Sequence, residues 1–196
     1  MTLHRTFISV ELGEETRGRV AELQGQMRAA GARLRWVRPK NLHFTLRFLG
    51  ELPVAQVARA VVATREAVKT ATPFALTIAG LGAFPTFERP QVVWVGSREG
   101  ADALEALAVR IDEFLARERF VMDSRRFRPH LTLGRSRDDR QWGNLVRTLH
   151  RFRDAVIGEE RIDAVTVMES RLTPEGPVYT PREQVRLGHG LNSHPR

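Results

Sequence analysis

Two short motifs in the sequence carry side chains that can transfer protons and hold phosphate. Residues 43–46 read His-Phe-Thr-Leu, and residues 130–133 read His-Leu-Thr-Leu. Each motif lies in a run of residues typical of a strand. Because residues i and i+2 of a strand point to the same face, the histidine and threonine of each motif share one face and the apolar residues share the other. One such motif is weak evidence for catalysis, whereas a matched pair indicates a shared functional site.

Two imidazoles and two hydroxyls around one volume suit a displacement at phosphorus. In an in-line reaction, one histidine takes a proton from water while the other gives a proton to the leaving oxygen, and histidine titrates close enough to neutrality for either role. The hydroxyls of Thr45 and Thr132 can donate hydrogen bonds to the non-bridging phosphate oxygens. This scheme needs no metal. Because the motifs are so alike, the residues alone leave open whether His43 or His130 is the acid.

Arginines close to the motifs are candidate phosphate ligands. Arg47 follows Thr45 by two residues, so we expect it on the same face, where it could contact an RNA backbone or remain solvated. Arg135 lies five residues after His130 and would point away on a regular strand, so it reaches phosphate only if the strand ends or bulges at Gly134. A basic run before the second motif could steer RNA or be an ordinary charged loop: Arg125, Arg126 and Arg128.

Several aromatic side chains near the motifs could stack on a base, as in proteins that bind single-stranded RNA. These candidates are Trp36, Phe48, Phe84 and Phe87. Strand alternation places Phe48 opposite His43, so we expect it to pack in the core. Three further aromatic residues are also expected in the core: Trp94, Phe114 and Trp142.

The elements that must position the motifs occur twice along the chain. The first half contains a strand over 7–12, a helix over 14–30, a strand over 43–49 and a helix opened by Pro53. The second half contains strands over 74–81 and 91–95, a helix over 101–118, a strand over 130–133 and a helix carrying Trp142. Further strands are expected over 162–169 and 184–187.

This order predicts an α+β fold. We expect one bilobal domain over 1–196, made of two pseudo-symmetric lobes. Each lobe would be an antiparallel or mixed sheet with its helices outside. A central cleft between the lobes would carry both motifs, and the tail from about residue 188 would be loose.

Composition limits the class of protein. The chain has 31 Lys and Arg against 23 Asp and Glu, a formal net charge of +8 and no cysteine. A basic surface attracts polyanions, and the lack of cysteine excludes thiolate nucleophiles and cysteine-based zinc sites. We see no membrane span, signal peptide, P-loop or dinucleotide-binding fingerprint. We therefore expect a cytoplasmic monomer without cofactor or metal.

The chain resembles the 2H phosphoesterase superfamily, and within it the bacterial and archaeal RNA 2',3'-cyclic phosphodiesterases, also called 2'-5' RNA ligases. The resemblance extends over nearly the whole chain and includes both motifs with their flanks. The matching segments are residues 5–8 with Glu11, 41–50, 91–96, 127–135 and 169–172.

The resemblance implies opening of 2',3'-cyclic phosphates on RNA ends to 2'-phosphates. It implies that His43 is the proton donor and His130 the proton acceptor, and that Arg135 binds phosphate. It further implies weak, reversible 2'-5' ligation by the same site run backward.

Two other functions stay open at this point. The basic charge also suits a module that binds RNA ends without turnover. The four central groups also suit another 2H activity, such as a 2'-5' phosphodiesterase or an ADP-ribose cyclic phosphodiesterase, because the walls of a pocket choose its substrate.

Overall fold

The computed structural model describes residues 2–121, 127–136 and 142–189, which form strands and helices in alternation. The predicted helix over 101–118 is present, because apolar residues at spacings of three and four face the core along it. The elements are β1 Leu3–Glu11, α1 Glu14–Ala29, β2 Leu34–Trp36, a 3-10 turn Pro39–Asn41, β3 His43–Pro53, α2 Val54–Val68, β4 Phe74–Pro85, β5 Pro90–Ser97, α3 Ala101–Arg117, β6 Leu131–Ser136, α4 Trp142–Arg151, β7 Val156–Ile162, β8 Ala164–Thr173 and β9 Gly176–Arg186.

The strands form a single sheet in the order β7-β4-β5-β6-β3-β1-β8-β9, and β2 pairs with the far end of β6. The pairings are antiparallel. The predicted α+β class is confirmed. The two expected lobes are the two halves of this sheet, and they join edge to edge at β3 and β6 rather than facing each other as separate sheets.

Strand boundaries differ from the prediction in the last third of the chain. The strand expected over 162–169 is β8, which begins two residues later at Ala164, whereas β7 was not predicted and ends at Ile162. The last strand, β9, is much longer than the expected 184–187. The sequence prediction also missed β2, whose three residues are too few to show a period.

The two motif strands pair with each other at the centre of the sheet. Phe44 of β3 lies opposite Leu131 of β6 in antiparallel register. These are the second residues of the two motifs, so the register relates the motifs by a local two-fold axis. The helices follow the same pseudo-symmetry, since α2 packs on α3 and the Thr148 hydroxyl of α4 donates to the carbonyl of Ala30 at the end of α1.

Each motif strand contains a bulge at the fourth residue of its motif. On β3, Ile8 pairs with Arg47 but Ser9 pairs with Thr45, so Leu46 is the extra residue. On β6, Val93 pairs with Gly134 but Trp94 pairs with Thr132, which makes Leu133 the extra residue. A bulge breaks the two-residue alternation of a strand and re-aims the side chains that follow it.

The bulge at Leu46 makes two sequence expectations wrong. Arg47 does not share the face of His43, because its guanidinium turns toward α3 and its Nε donates to the Asp112 carboxylate over 2.7 Å. Phe48 is not a core residue. It is 49% exposed and lines a small cavity together with His43 and Thr45.

Trp94 also lies on the motif face rather than in the core. It is the cross-strand partner of Thr132, and its indole packs over Gly82 of the neighbouring strand. A Cβ at Gly82 would clash with the indole ring, so glycine is required for this contact. By contrast, Phe114 and Trp142 pack against the apolar core as predicted.

The apolar core lies between the sheet and the helices. Phe44, Leu131 and Leu133 are fully buried within it, and Leu46 is 3% exposed. These residues are the apolar halves of the two motifs, so the packing that stabilises the sheet also holds the histidines and threonines on the opposite face. Within the described residues, no helix has the length and apolar composition needed to cross a membrane.

We expect Phe44→Ala to lower the free energy of unfolding by about 3–5 kcal/mol, because it leaves a cavity in the core. Phe48→Ala is the matched control on the same strand, and it should cost far less because its ring is half exposed. Urea denaturation measures both. Equal losses for the two variants would contradict the change of face that we assign to the bulge at Leu46.

Candidate active site

The ring of His43 is held at both nitrogens. Its Nδ1 lies 2.8 Å from the backbone carbonyl oxygen of Asn41, and its Nε2 lies 3.0 Å from the hydroxyl oxygen of Thr45. A carbonyl oxygen can only accept, so Nδ1 carries the hydrogen in this contact. In the neutral ring, Nε2 then accepts from Thr45 and is the nitrogen that exchanges a proton with a ligand.

The ring of His130 is held by the same device. Its Nδ1 lies 2.7 Å from the carbonyl oxygen of Arg128, which is also two residues before the histidine. Nδ1 is again the donor, so Nε2 is the nitrogen with a free lone pair in the neutral ring. Thus both motifs present the same nitrogen, and the backbone rather than a carboxylate fixes the tautomer in each case.

A cavity of about 520 Å³ contains both motifs. Its wall includes His43 and Thr45 from one motif and His130 and Thr132 from the other. Arg135 lines it as well. Arg135 was expected to reach the site only if the strand ended or bulged at Gly134, and the strand does bulge, one residue earlier at Leu133. Among the predicted site residues, therefore, five lie together in this cavity, and Arg47 is absent from its wall.

The hairpin of β8 and β9 closes one side of this cavity. The Asn41 side-chain amide donates to the Pro177 carbonyl over 2.9 Å. The Tyr179 ring meets the His43 ring edge-on at a centroid distance of 5.2 Å. In the sheet order, β9 is three strands from β3, which is about 14 Å on a flat sheet. The sheet must therefore curl for Tyr179 to reach the site.

Sequence reasoning did not single out Tyr179. It has no motif around it, and a partner three strands away in the sheet cannot be read from local periodicity. Its identity as the single tyrosine of the chain was the available signal. Burial raises the pKa of its phenol, and the charges of Arg135 and Arg5 partly oppose that rise. The phenol is therefore a neutral hydrogen-bonding group near pH 7.

Burial is the main influence on the pKa values of His43 and His130. It lowers the pKa of His43 below its ordinary value of 6.5, while the Asn41 carbonyl and the Glu11 carboxylate partly offset this effect. Glu11 is the cross-strand partner of His43 and accepts a hydrogen bond from the Thr166 hydroxyl over 3.1 Å. Thus a carboxylate favours the protonated form of His43.

The charged neighbour of His130 is a cation, the Arg135 guanidinium. Burial again lowers its pKa below 6.5, and the Arg128 carbonyl partly opposes this shift. The Arg135 guanidinium lowers the pKa further. The two histidines share one backbone geometry but differ in charge environment. The Glu11 carboxylate raises the pKa of His43, an effect that His130 and the Arg17 guanidinium partly oppose, whereas Arg135 lowers the pKa of His130.

The aromatic candidates take different positions. Phe84 meets the His130 ring edge-on at 5.1 Å, Trp36 lines the main cavity, and Phe87 lies against His150 at 5.5 Å. Phe48 carries the Arg5 guanidinium over its ring at 4.6 Å. A base could therefore reach Trp36 or Tyr179 in the main cavity, and Phe48 with Arg5 in the small one.

Several residues considered in the sequence stand apart from the site or outside the described ranges. Arg125 and Arg126 lie outside the described residues, and so does the tail from residue 190. A further histidine, His4, lies apart from the site and pairs with Glu169 over 3.0 Å. Within the described ranges, no three His, Cys, Asp or Glu side chains are grouped closely enough to hold a metal ion.

Comparison with known proteins agrees with the duplicated architecture. The family model described as LigT like phosphoesterase matches the chain twice, at residues 10–94 and 95–179. The chain is 33% identical to an RNA 2',3'-cyclic phosphodiesterase of Methanothermobacter thermautotrophicus, over 93% of this chain and 98% of that protein. It is 36% identical to the protein of the same name from Aquifex aeolicus, over 79% of this chain and 82% of the relative.

A solved structure shows the same fold. A crystal structure of a Thermus thermophilus protein superposes with a TM-score of 0.75 at 30% identity, and the match covers 94% of this chain and 98% of that one. The fold and paired motifs define a 2H-type phosphoesterase. More specifically, the chain belongs to the LigT like phosphoesterase family.

The charge difference between the histidines can be measured directly. By NMR titration, we expect His43 and His130 to titrate below 6.5. Glu11→Gln should lower the pKa of His43 further, because it removes the neighbouring anion, and should leave His130 unchanged. Arg135→Gln should raise the pKa of His130 and leave His43 unchanged. A shift of the wrong histidine, or of both together, would contradict this assignment.

Proposed function

We propose that this protein is an RNA 2',3'-cyclic phosphodiesterase that opens the cyclic phosphate to a 2'-phosphate end. The relatives that cover most of the chain carry this name. The observation that carries the proposal is that two imidazole Nε2 atoms are presented to one cavity by the same backbone device. Such a pair can supply a base on one side of a phosphorus atom and an acid on the other.

The proposed reaction is an in-line displacement. A water oxygen attacks phosphorus and passes its proton to Nε2 of His130. The bond between phosphorus and the ribose O3' breaks, and O3' takes the Nε2 proton of His43 in its imidazolium form. The product is a ribose with a free 3'-hydroxyl and a 2'-phosphate. Both proton transfers are supplied by imidazoles, so this scheme requires no metal or other cofactor.

The charge environment supports the proposed roles. The Glu11 carboxylate favours protonated His43, which suits the donor, and the Arg135 guanidinium favours neutral His130, which suits the acceptor. Burial lowers the pKa of both rings in the free protein. The phosphodiester anion between them then stabilises the imidazolium of His43, so the donor is charged mainly when substrate is bound.

The remaining polar groups would bind the phosphate. Thr45 and Thr132 follow their histidines on the same cavity wall, where their hydroxyls can donate to the non-bridging oxygens as negative charge builds there. The Arg135 guanidinium can bind one of these oxygens by a charge-assisted hydrogen bond. We do not assign Arg47 to the phosphate, because the Asp112 carboxylate already binds its guanidinium.

The same site can also join RNA ends. If a ribose 5'-hydroxyl replaces water as the group that gives its proton to His130, the cyclic phosphate opens onto that hydroxyl and a 2'-5' linkage forms. This ligation needs no ATP, because the cyclic phosphate itself supplies the energy of the bond that is formed. The same groups run backward would cleave the linkage, so the joining is reversible. We expect it to be weak, since water is abundant.

A short RNA with a 2',3'-cyclic phosphate end tests the function. In EDTA, wild-type protein should yield a 2'-phosphate end. His43→Ala and His130→Ala should each lower kcat by about 10²–10⁴-fold, because each removes one proton-transfer group. His150→Ala is the matched control on α4, outside the site, and should keep full activity.

The alternatives give different results in the same assay. RNA binding without product, equal in wild type and His130→Ala, would indicate an RNA-end-binding module. Turnover of a 2'-5' linked dinucleotide or of an ADP-ribose cyclic phosphate, with none of the RNA substrate, would indicate another 2H activity. Opening that survives loss of either histidine would exclude the two-histidine mechanism.

The lowered pKa values also predict the pH dependence of kcat/KM. The neutral acceptor makes the rate rise through one pKa, and the protonated donor makes it fall through the other. Since burial holds both below 6.5, kcat/KM should peak on the acid side and fall about tenfold per pH unit above roughly pH 7.5. Glu11→Gln should lower kcat/KM further at neutral pH. A maximum at pH 8 would contradict the assignment.

A further inference from the structure

Two arginines face each other across the strands that form one end of the main cavity. Arg35 of β2 is the direct cross-strand partner of Arg135 of β6. Both side chains are exposed, and both line the cavity that holds the motif histidines. Like charges directly opposite each other in an antiparallel pair destabilise the sheet. The proposed function uses Arg135 and leaves Arg35 without a role.

Neither guanidinium has a carboxylate partner among the described residues. Several other arginines on strands and helices do form ion pairs, such as Arg65 with Glu183 at 2.6 Å. The acidic residue on the cavity wall is Glu175, and it lies near a third arginine, since Arg38 donates to the Glu175 carbonyl over 2.8 Å. The Arg35–Arg135 pair is therefore a site of uncompensated positive charge.

The position of this pair relates it to the substrate. Strands β3 and β2 pair with the same edge of β6, one after the other. Phe44 of β3 pairs with Leu131 at the start of β6, and Trp36 of β2 pairs with Gly134 further along it. Arg35 and Arg135 therefore lie side by side on two strands, in the wall of the cavity that also holds the histidines. Its volume of about 520 Å³ is within the range of pockets that enclose whole small-molecule ligands and exceeds what one phosphate needs.

A bound RNA end would place two kinds of phosphate in this cavity. The cyclic phosphate must lie between the histidines, within reach of Arg135. The next phosphate of the chain is the one on the 5' side of the terminal nucleotide. Paired residues on adjacent antiparallel strands are about 4.5–5.5 Å apart at Cα, so two neighbouring arginines can bind neighbouring phosphates, which removes their mutual repulsion.

We propose that Arg35 binds the phosphate on the 5' side of the terminal nucleotide, so that the cavity selects oligonucleotide ends over mononucleotide 2',3'-cyclic phosphates. This inference rests on the proposed function, because it takes the cyclic phosphate to lie at the histidines. A mononucleotide with a free 5'-hydroxyl lacks the second phosphate. It would leave the Arg35 guanidinium unpaired beside Arg135.

The test compares two substrates with two variants. The substrates are uridine 2',3'-cyclic phosphate and the dinucleotide UpU with a 2',3'-cyclic phosphate end. For the dinucleotide, Arg35→Gln should raise KM about tenfold with kcat nearly unchanged, because it removes one charge-assisted hydrogen bond made in both the ground and transition states. For the mononucleotide, kcat and KM should stay the same. Arg33→Gln, an exposed arginine next to β2 that does not line the cavity, is the matched control.

A third substrate isolates the contact itself. This substrate is the UpU dinucleotide with a 2',3'-cyclic phosphate end in which a neutral methylphosphonate replaces the charged phosphate on the 5' side of the terminal nucleotide. The KM of the wild-type protein should be about tenfold higher on this substrate, and Arg35→Gln should not raise it further. If Arg35→Gln weakens the mononucleotide and the dinucleotide equally, Arg35 instead shares the scissile phosphate with Arg135, and the proposal is wrong. It is also wrong if neither substrate responds.

Failure of the proposed function would be distinguishable from failure of this inference. If wild-type protein opens neither substrate, the binding of UpU ending in a 2'-phosphate can be measured by calorimetry beside uridine 2'-phosphate. If Arg35→Gln raises the dinucleotide Kd tenfold and leaves the mononucleotide Kd unchanged, the result would support the contact between Arg35 and the second phosphate. Equal Kd values for wild type and variant on both ligands would overturn it.

Discussion

The pairing of Phe44 with Leu131 is the contact on which the rest of this molecule depends. It joins the two halves of the sheet, and it does so between the second residues of two equivalent motifs. An antiparallel pair has a local two-fold axis at its centre, so this single register places each histidine across from the threonine of the other motif. A slip by one residue would turn one motif's polar pair toward the helices and bury it. The buried rings and aliphatic chains of the motifs prevent that slip, because they fill the core on the other face.

The backbone then fixes what the side chains can do. Each histidine donates from Nδ1 to the carbonyl two residues before it, so each ring is held in one orientation by its own strand. A carboxylate in that position would raise the pKa of the ring strongly, whereas a neutral carbonyl orients it with a smaller effect. This leaves burial as the main influence on both rings, and it leaves the smaller difference between them to Glu11 and Arg135. Asn41, whose carbonyl accepts from His43, also donates from its side-chain amide to Pro177 of the β8–β9 hairpin. The orientation of His43 is therefore linked to the curl of the sheet.

Much of this was accessible from the sequence, up to the point where the strands become irregular. Alternation within each motif correctly separated the histidine and threonine from the apolar residues, and the duplication correctly predicted two equivalent halves. The prediction was wrong at Arg47 and Phe48 because a bulge at Leu46 shifts the alternation by one residue. For Arg135 the need for a bulge could be deduced, since a residue five positions after the histidine shares its face only if the strand bulges between them. Tyr179 and Arg35 were beyond reach, because their positions depend on which strands pair and on how the sheet curls.

The equivalent bulges also explain how a duplicated scaffold can hold a directional site. Because both strands bulge at the fourth motif residue, the residue five positions after each histidine faces the site in both halves. That residue is Phe48 in one half and Arg135 in the other, an aromatic surface on one side and a cation on the other. A similar difference occurs one strand away. Glu11 lies beside His43, while the position that follows Val95 in register with His130 is Gly96, which carries no charge.

These differences act in the same direction. The anion lies beside the histidine on the aromatic side, and the cation lies beside the other histidine. In an in-line reaction the ribose is attached through the leaving oxygen, so it lies on the side of the proton donor. In the proposed reaction, the aromatic surface would therefore lie on the side of the ribose, and Arg135 would lie on the side of the attacking water. The symmetric backbone supplies two equivalent imidazoles. Under the proposed function, the different residues at four positions around them would give the pair one acid, one base and one orientation of the RNA end.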